Sequence, residues 1–348
     1  MEDRGFGLEI EEEYGEIVAK SAFDLDWWSD ASDVDFKLND EPVTKSGGSR
    51  MNKRARPGIL KPTGSTTADA DLQRVAWYML GYLDNYKFTE AGTGETVNTH
   101  EFWGGEGKQL TSFRAIAVYD LLKKYIYGVL VDGLSLEVSD ESMSVSASYI
   151  YKTEKSGIIG VDGETFTRPE DLEDDLFIMF YDVAVKLNNA PLDGVATSFG
   201  FDGKNNHDVD STIGLGSRTP LVRAQAGKRE NDLTLVTSLT EDTIRAILNA
   251  QYGEVGALEP SQCKLLQIPL ELNVSLCELD DVEMKILFPR CTVNVEYNMS
   301  GADRIEVTMT LATLGSETVT LADEETEVVT DMYVCVKNQQ PELAPKGD

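Results

Sequence analysis

Two stretches of the chain alternate apolar and polar residues in the same way. Leu134, Leu136 and Val138 alternate with Ser135 and Glu137, and beyond a polar turn at 139–142 the alternation resumes at Met143, Val145, Ala147 and Tyr149. Val293, Val295 and Tyr297 alternate with Asn294 and Glu296, and beyond a second polar turn at 298–303 it resumes at Ile305, Val307, Met309 and Leu311. Period two marks strands with one face buried, so each stretch predicts an antiparallel hairpin with a polar outer face. Leu270, Leu272, Val274 and Leu276 predict a further strand. Helical spacing replaces alternation in two places. Thr67 as N-cap, Asp69 and Asp71 in the first turn, and Leu72, Val75, Ala76, Met79, Leu80 and Leu83 predict a helix over 67–82. Thr240, with Glu241 and Asp242 behind it, then Ile244, Ile247 and Leu248 before Gly253, predicts a second over 240–252. One helix per half against many strands predicts a mainly β chain, a β-sandwich with a helix at its side.

The halves also share a motif. Asp33-Val34-Asp35-Phe36-Lys37-Leu38-Asn39-Asp40-Glu41-Pro42 and Asp182-Val183-Ala184-Val185-Lys186-Leu187-Asn188-Asn189-Ala190-Pro191 both read D-V-x-x-K-L-N-x-x-P. Each copy is followed by a basic, glycine-containing loop, a helix and a set of strands ending in a hairpin, which predicts two tandem copies of one domain. The expected organisation is an acidic N-terminal arm (1–32), copy one (33–153), an acidic connector (154–176), copy two (177–316) and a C-terminal segment (317–348). Phe23, Leu25, Trp27 and Trp28 make an apolar cluster in the arm, so part of it is expected to dock on its own domain or on a neighbouring subunit.

Charge narrows the classes of function. The 348 residues carry a formal net charge of −30, which excludes a general nucleic-acid clamp, because phosphate binding needs a basic footprint. It suits a surface that repels polyanions. Two basic stretches break the pattern: 43–62, with Lys45, Arg50, Lys53, Arg54, Arg56 and Lys61, and the long loop from Phe199 to Glu230, with Arg218, Arg223, Lys228 and Arg229. Arg50, Lys53, Arg54, Arg56, Arg218, Arg223, Lys228 and Arg229 are the candidate inter-subunit contacts, facing acids of another copy. Glu137 and Glu296 are the acidic candidates for a channel wall or an interface, read as equivalent positions of the two hairpins.

Motifs that carry catalysis fail one by one. Gly104-Gly105-Glu106-Gly107-Lys108 resembles a phosphate loop, but Gln109 stands where Ser or Thr is needed and Phe102 where the first Gly is needed. Asp24, Asp26, Asp30, Asp33 and Asp35 match a calcium loop in acid density alone. Asp202, Asn206, His207, Asp208 and Asp210 offer oxygen and nitrogen donors, though such a loop is more often simply solvated. Only two histidines, His100 and His207, are present, and no G-x-S-x-G elbow. Cys263, Cys277, Cys291 and Cys335 contain no C-x-x-C and all lie in the second half, so reduced thiols are expected. No apolar run is long enough to span a membrane, and the N-terminal residues lack the pattern of a secretory signal. No cofactor, metal or catalytic residue is expected.

The segment Tyr125-Ile126-Tyr127-Gly128-Val129-Leu130-Val131-Asp132-Gly133-Leu134-Ser135-Leu136-Glu137-Val138 resembles the closing strand of tail tube proteins of long-tailed bacterial and archaeal viruses, where a G-x-x-V-x-x-L-S-L unit precedes a hairpin. The matching unit of the second half, Met284 to Val295, departs at Pro289 and lacks the glycine. The resemblance implies two β-sandwich, barrel-forming tail-tube domains, each with a flanking helix and a long loop. It also implies homotrimeric, pseudo-hexameric rings stacked into a hollow tail tube. The implied partners are further copies of the chain and other tail proteins (tape measure, terminator, baseplate). DNA passes through without specific binding, and the place of action is the virion tail, assembled in the host cytoplasm. The alternatives are a baseplate, hub or distal ring protein of related fold, then a tandem β-sandwich adhesion module, and last an enzyme.

Overall fold

The alternating segments fold as strands because their apolar residues find a common interior and their peptide groups pair laterally. The computed structural model describes residues 5–17, 26–28, 31–40, 42–45, 51, 54–94, 96–139, 141–161, 177–192, 196–238, 240–252, 256, 259, 267–276, 279, 281–298 and 306–343. The first half begins with β1 (Gly5–Ile10), β2 (Asp26–Trp28), β3 (Asp33–Lys37), a hairpin of β4 (Val43–Lys45) and β5 (Arg54–Arg56), and β6 (Thr63–Asp69). Helix α1 (Val75–Tyr82) precedes a hairpin of β7 (Asn85–Thr89) and β8 (Asn98–Trp103). Then come β9 (Phe113–Tyr119), the long β10 (Leu122–Val138), β11 (Met143–Ile150) and β12 (Thr153–Ile158). The second half has β13 (Val183–Leu187), β14 (Ala190–Pro191), β15 (Ala196–Lys204), β16 (Glu230–Ser238) and helix α2 (Glu241–Tyr252). It continues with β17 (Ile268–Ser275), the long β18 (Glu283–Asn298), β19 (Glu306–Thr313), a hairpin of β20 (Glu317–Thr320) and β21 (Glu327–Thr330), and β22 (Tyr333–Asn338).

The protein is mainly β, built on large antiparallel sheets of the sandwich class. Its central sheet runs β3–β6–β11–β10–β15–β16–β19–β18. The two long strands each change partners along their length. The first part of β10 pairs with β9 and β12, and its last part with β11 and β15. The first part of β18 pairs with β17 and β22, and its last part with β19. Beyond β9 lie β1 and β2, and beyond β17 lie β13 and β14. β22 also pairs with β8, which carries β7 on its far side.

One pairing order therefore occurs in both halves. The ladder β1–β9–β10–β11–β6–β3, with α1 after β6, corresponds to β13–β17–β18–β19–β16–β15, the last two joined as β6 and β3 are, with α2 after β16. One irregularity matches as well. β10 bulges between Ile126 and Val129 opposite Ala115 and Phe113, and β18 between Phe288 and Cys291 opposite Leu270 and Ile268. The first bulge uses Gly128 at φ 67, where an added Cβ would lie 2.9 Å from Lys152 and Tyr14 carbons. The second contains Pro289, which lacks the N–H that a regular ladder requires. The departure from the glycine pattern thus leaves the local shape unchanged.

The core lies on one face of the central sheet. Leu134, Leu136, Val145, Leu233, Leu235, Met309 and Leu311 are buried there with both long strands' neighbours. Helix α1 packs on β10 and β8 and is buried on every side, whereas α2 packs on β18.

Several expected boundaries move. The helix expected over 67–82 starts at Val75, and Thr67 lies in β6, opposite Asp33 and Ser146. Residues 63–69 alternate, and ladders on both sides outweigh a single helical turn. Residues 5–10 of the acidic arm are a fully buried strand, β1; the apolar cluster's side chains lie outside the described residues. The connector expected from 154 contributes β12, and the rest of it, 162–176, lies outside the described residues. The C-terminal segment supplies β22, clamped between β18 and β8.

Candidate assembly interface

The place where the two halves meet defines the geometry of interest. Gly133 to Val138 of β10 lie opposite Lys204 to Phe199 of β15. On the inner face Leu134 and Leu136 are 0% and 1% exposed, opposite Gly203 and the buried Phe201. On the outer face the Ser135 hydroxyl donates to Asp202 Oδ1 at 3.0 Å, and Lys204 Nζ sits 3.0 Å from Asp202 Oδ2. One half's long strand is thus completed by the other half's β15.

The same sheet ends in two strands of matching kind. β3, the counterpart of β15, pairs on one side with β6. The 291–298 part of β18, the counterpart of the end of β10, pairs on one side with β19. Among the described residues neither has a second ladder. The consequence shows in exposure: Val293 and Val295 are half-buried and Tyr297 is 48% exposed, where Leu134 and Leu136 are closed off. At the other end Lys124 Nζ donates to the Phe36 carbonyl at 2.7 Å and sits 3.3 Å from Glu154. A lysine at a strand edge discourages indiscriminate pairing.

The outer face of the central sheet is mostly polar, with Val236 and Ala312 among its polar residues. Ser and Thr side chains fill its middle, and Asp33, Asp69, Glu137, Asp232, Glu296 and Glu306 are exposed carboxylates along it. Lys37 and Lys204 share that face, each paired with an acid on its own strand, Asp35 and Asp202. The hairpin registers correct one expectation. Glu137 lies opposite Ser144 and Glu296 opposite Thr308, and β10 carries an extra residue between Val131 and Gly133. With the matching bulges aligned, Glu296 is level with Ser135, two residues from the position of Glu137 on the same face.

The basic loops meet each other. Arg218 NH2 is 3.0 Å from Asp40 Oδ2, its Nε donates to the Gly58 carbonyl at 2.8 Å, and its own carbonyl accepts from Leu60 N–H at 2.7 Å. Lys61 pairs with Asp210 at 2.5 Å. Arg229 binds Asp331 and Asp84 within the chain and is 12% exposed. Arg223 lies close to Tyr14 and Glu11, and burial lowers its pKa. Lys228 is exposed, and Arg54 and Arg56 stand exposed on the β4–β5 hairpin. Arg50 and Lys53 lie outside the described residues.

Several residues of the motifs set aside above make contacts within the chain. Gly105 and Gly107 N–H donate to Asp84 at 2.6 and 2.7 Å, so a carboxylate of the chain itself fills that loop. His100 is buried between Tyr86 and the Gln340 carbonyl, and burial lowers its pKa. His207 Nδ1 is 2.9 Å from Asp132. No group of three metal-ligating side chains occurs among the described residues. Cys291 and Cys335 are free and buried, and burial pushes their thiols up to about 12 and about 11. Cys263 and Cys277 lie outside the described residues. No described helix is long and apolar enough to cross a membrane. No protein-family profile and no curated protein sequence matches the chain.

The sequence names Lys37, Phe36 and Tyr297 as strand and motif residues and not as contact candidates. The available signal was the Val293–Tyr297 alternation, which gives an apolar face to a strand but does not reveal that its flank is open.

Proposed function

We propose that this chain is a structural protein that builds rings and stacks them into a hollow tube, the tail tube of a long-tailed virus. One observation carries the reading: the joint between β10 and β15 inside the chain has, at the two ends of the same sheet, one strand of each kind that pairs on one side only among the described residues. Such a head-to-tail contact repeats from copy to copy and closes a ring if the rotation permits. Closure removes the exposed edges. The repeated pairing order is read as an internal duplication, so three chains supply six equivalent units.

The polar face supports the same reading. If it lines the channel, its carboxylates keep the wall negative, and DNA slides past without counterion-releasing contacts. The exposed Arg54 and Arg56 of the β4–β5 hairpin then suit contact with acidic surfaces of a neighbouring copy. Electron micrographs of the purified protein should show hollow rings, alone or stacked. A protein that stays monomeric at high concentration would overturn the proposal, and isolated rings that never stack would favour a hub or distal ring instead.

A further inference from the structure

Resting on the ring-building reading, we infer that the joint between chains has a fixed register, with Glu296 of one copy directly opposite Lys37 of the next. The partner is a second copy of this chain, and the template is the joint already inside it. There Ser135 faces Asp202 and Leu136 faces Phe201. The hairpin registers and matching bulges place Glu296 level with Ser135 and Tyr297 with Leu136. Asp202 lies opposite Asp232 of β16 and Lys37 opposite Thr63 of β6, while both β16 and β6 are registered by their ladders to β19 and β11. Following those ladders makes Lys37 level with Asp202 and Phe36 with Phe201.

Transferring the internal register outward therefore sets Glu296 against Lys37, Tyr297 against Phe36 and Val295 against Leu38. The three side-chain pairs agree in chemistry, and the joint forms as Lys124 releases the Phe36 carbonyl. The half-exposed Val295 and the 48% exposed Tyr297 meet apolar partners on the inner face. The exposed Glu296 meets the one basic residue of β3 on the outer face. Lys37 is 64% exposed and now has Asp35 of its own strand as a partner, which leaves its ammonium free to bridge to a second carboxylate. A shift of one residue would turn Glu296 toward the wrong face.

The two joints differ in a way that keeps them apart. The internal one is a Ser135–Asp202 hydrogen bond, and the external one is an ion pair. Had β15 taken the place of the next copy's β3, Glu296 would face Asp202, and like charges directly opposite repel. The charge pattern thus steers β18 toward Lys37 of another copy.

Charge exchange tests the pairing. Glu296→Lys and Lys37→Glu should each raise the concentration for half-assembly by about tenfold, and the double variant should return it toward wild type. Circular dichroism should show all three folded, because both side chains are exposed. As a second measurement, Val295→Cys with Leu38→Cys should yield a covalent ladder of chains under oxidation, while moving the second cysteine to Lys37 should not. Single variants that assemble like wild type, or a double variant that does not recover, would overturn the register while leaving ring formation standing. A wild type that never assembles would remove the proposed function and this inference with it.

Discussion

Arg229 holds Asp331 with two hydrogen bonds, from Nε at 3.1 Å and from NH2 at 2.8 Å, and reaches Asp84 at 3.3 Å with its third nitrogen. The guanidinium links the end of the long second-half loop, the turn after α1 and the turn before β22. It is 12% exposed, and although burial opposes its charge, the two carboxylates raise its pKa. Replacing it with alanine strands Asp84 and Asp331 without their cation. Arg229→Ala should lower stability by about 3 kcal/mol, read from urea unfolding. A loss below about 1 kcal/mol would mean that the carboxylates find other partners.

The hairpin of β4 and β5 offers the opposite case. Arg54 and Arg56 are exposed and carry no ion pair among the described residues. Reversing both charges should leave the melting temperature within a few degrees of wild type. The same change should impair assembly, measured by sedimentation at low salt. Normal assembly of the reversed variant would remove the hairpin from the interface.

Acid stability should depend on Glu271. Burial raises its pKa, but bonds from Lys186 at 2.8 Å and Asn273 at 2.8 Å, with Lys285 at 3.0 Å, bring it down to about 2. A carboxylate with a depressed folded pKa stabilises fully above its unfolded value of 4.5 and loses that contribution as the pH falls toward about 2. Glu271→Gln should therefore cost about 1 kcal/mol at neutral pH, discounted for partial exposure. Its stability curve should approach that of wild type as the pH falls through about 2. Parallel curves down to the acid limit would show that the pairing is not the cause.

Gly128 sets the bulge of β10 and should resist substitution. Its φ of 67 is costly for any other residue, and its N–H donates to Glu11 at 2.8 Å. Gly128→Ala should lose about 1–3 kcal/mol, whereas a glycine placed at Pro289 should lose less than about 1 kcal/mol. Thermal melts of the two variants would show it, and equal losses would contradict the assignment of strain to Gly128.

Local chemistry was legible in the residue order. The alternations at 134–149 and 293–311 correspond to paired long strands and their partners, because a half-buried strand must alternate. Thr240 accepts the Thr243 N–H at 3.2 Å, a cap decided within four residues. The repeated D-V-x-x-K-L-N motif was local as well. In both copies it makes a strand followed within two residues by an asparagine in the left-handed region, Asn39 at φ 50 and Asn188 at φ 53. Yet the first copy pairs with β6 and the second with β17, which are not corresponding strands. The motif specifies a strand and its turn, and nothing in it chooses the neighbour.

That choice belongs to the tertiary structure. Thr67 sits where helix and strand signals compete, and ladders to β3 and β11, distant in sequence, decide for strand. The β10–β15 joint, the burial of β1 and the capture of β22 by β8 likewise join segments far apart in the chain. A residue's own pattern states which face is apolar. Whether that face is covered, and whether an edge is paired, depends on which remote strand arrives beside it, and that is settled by the sum of contacts across the whole sheet.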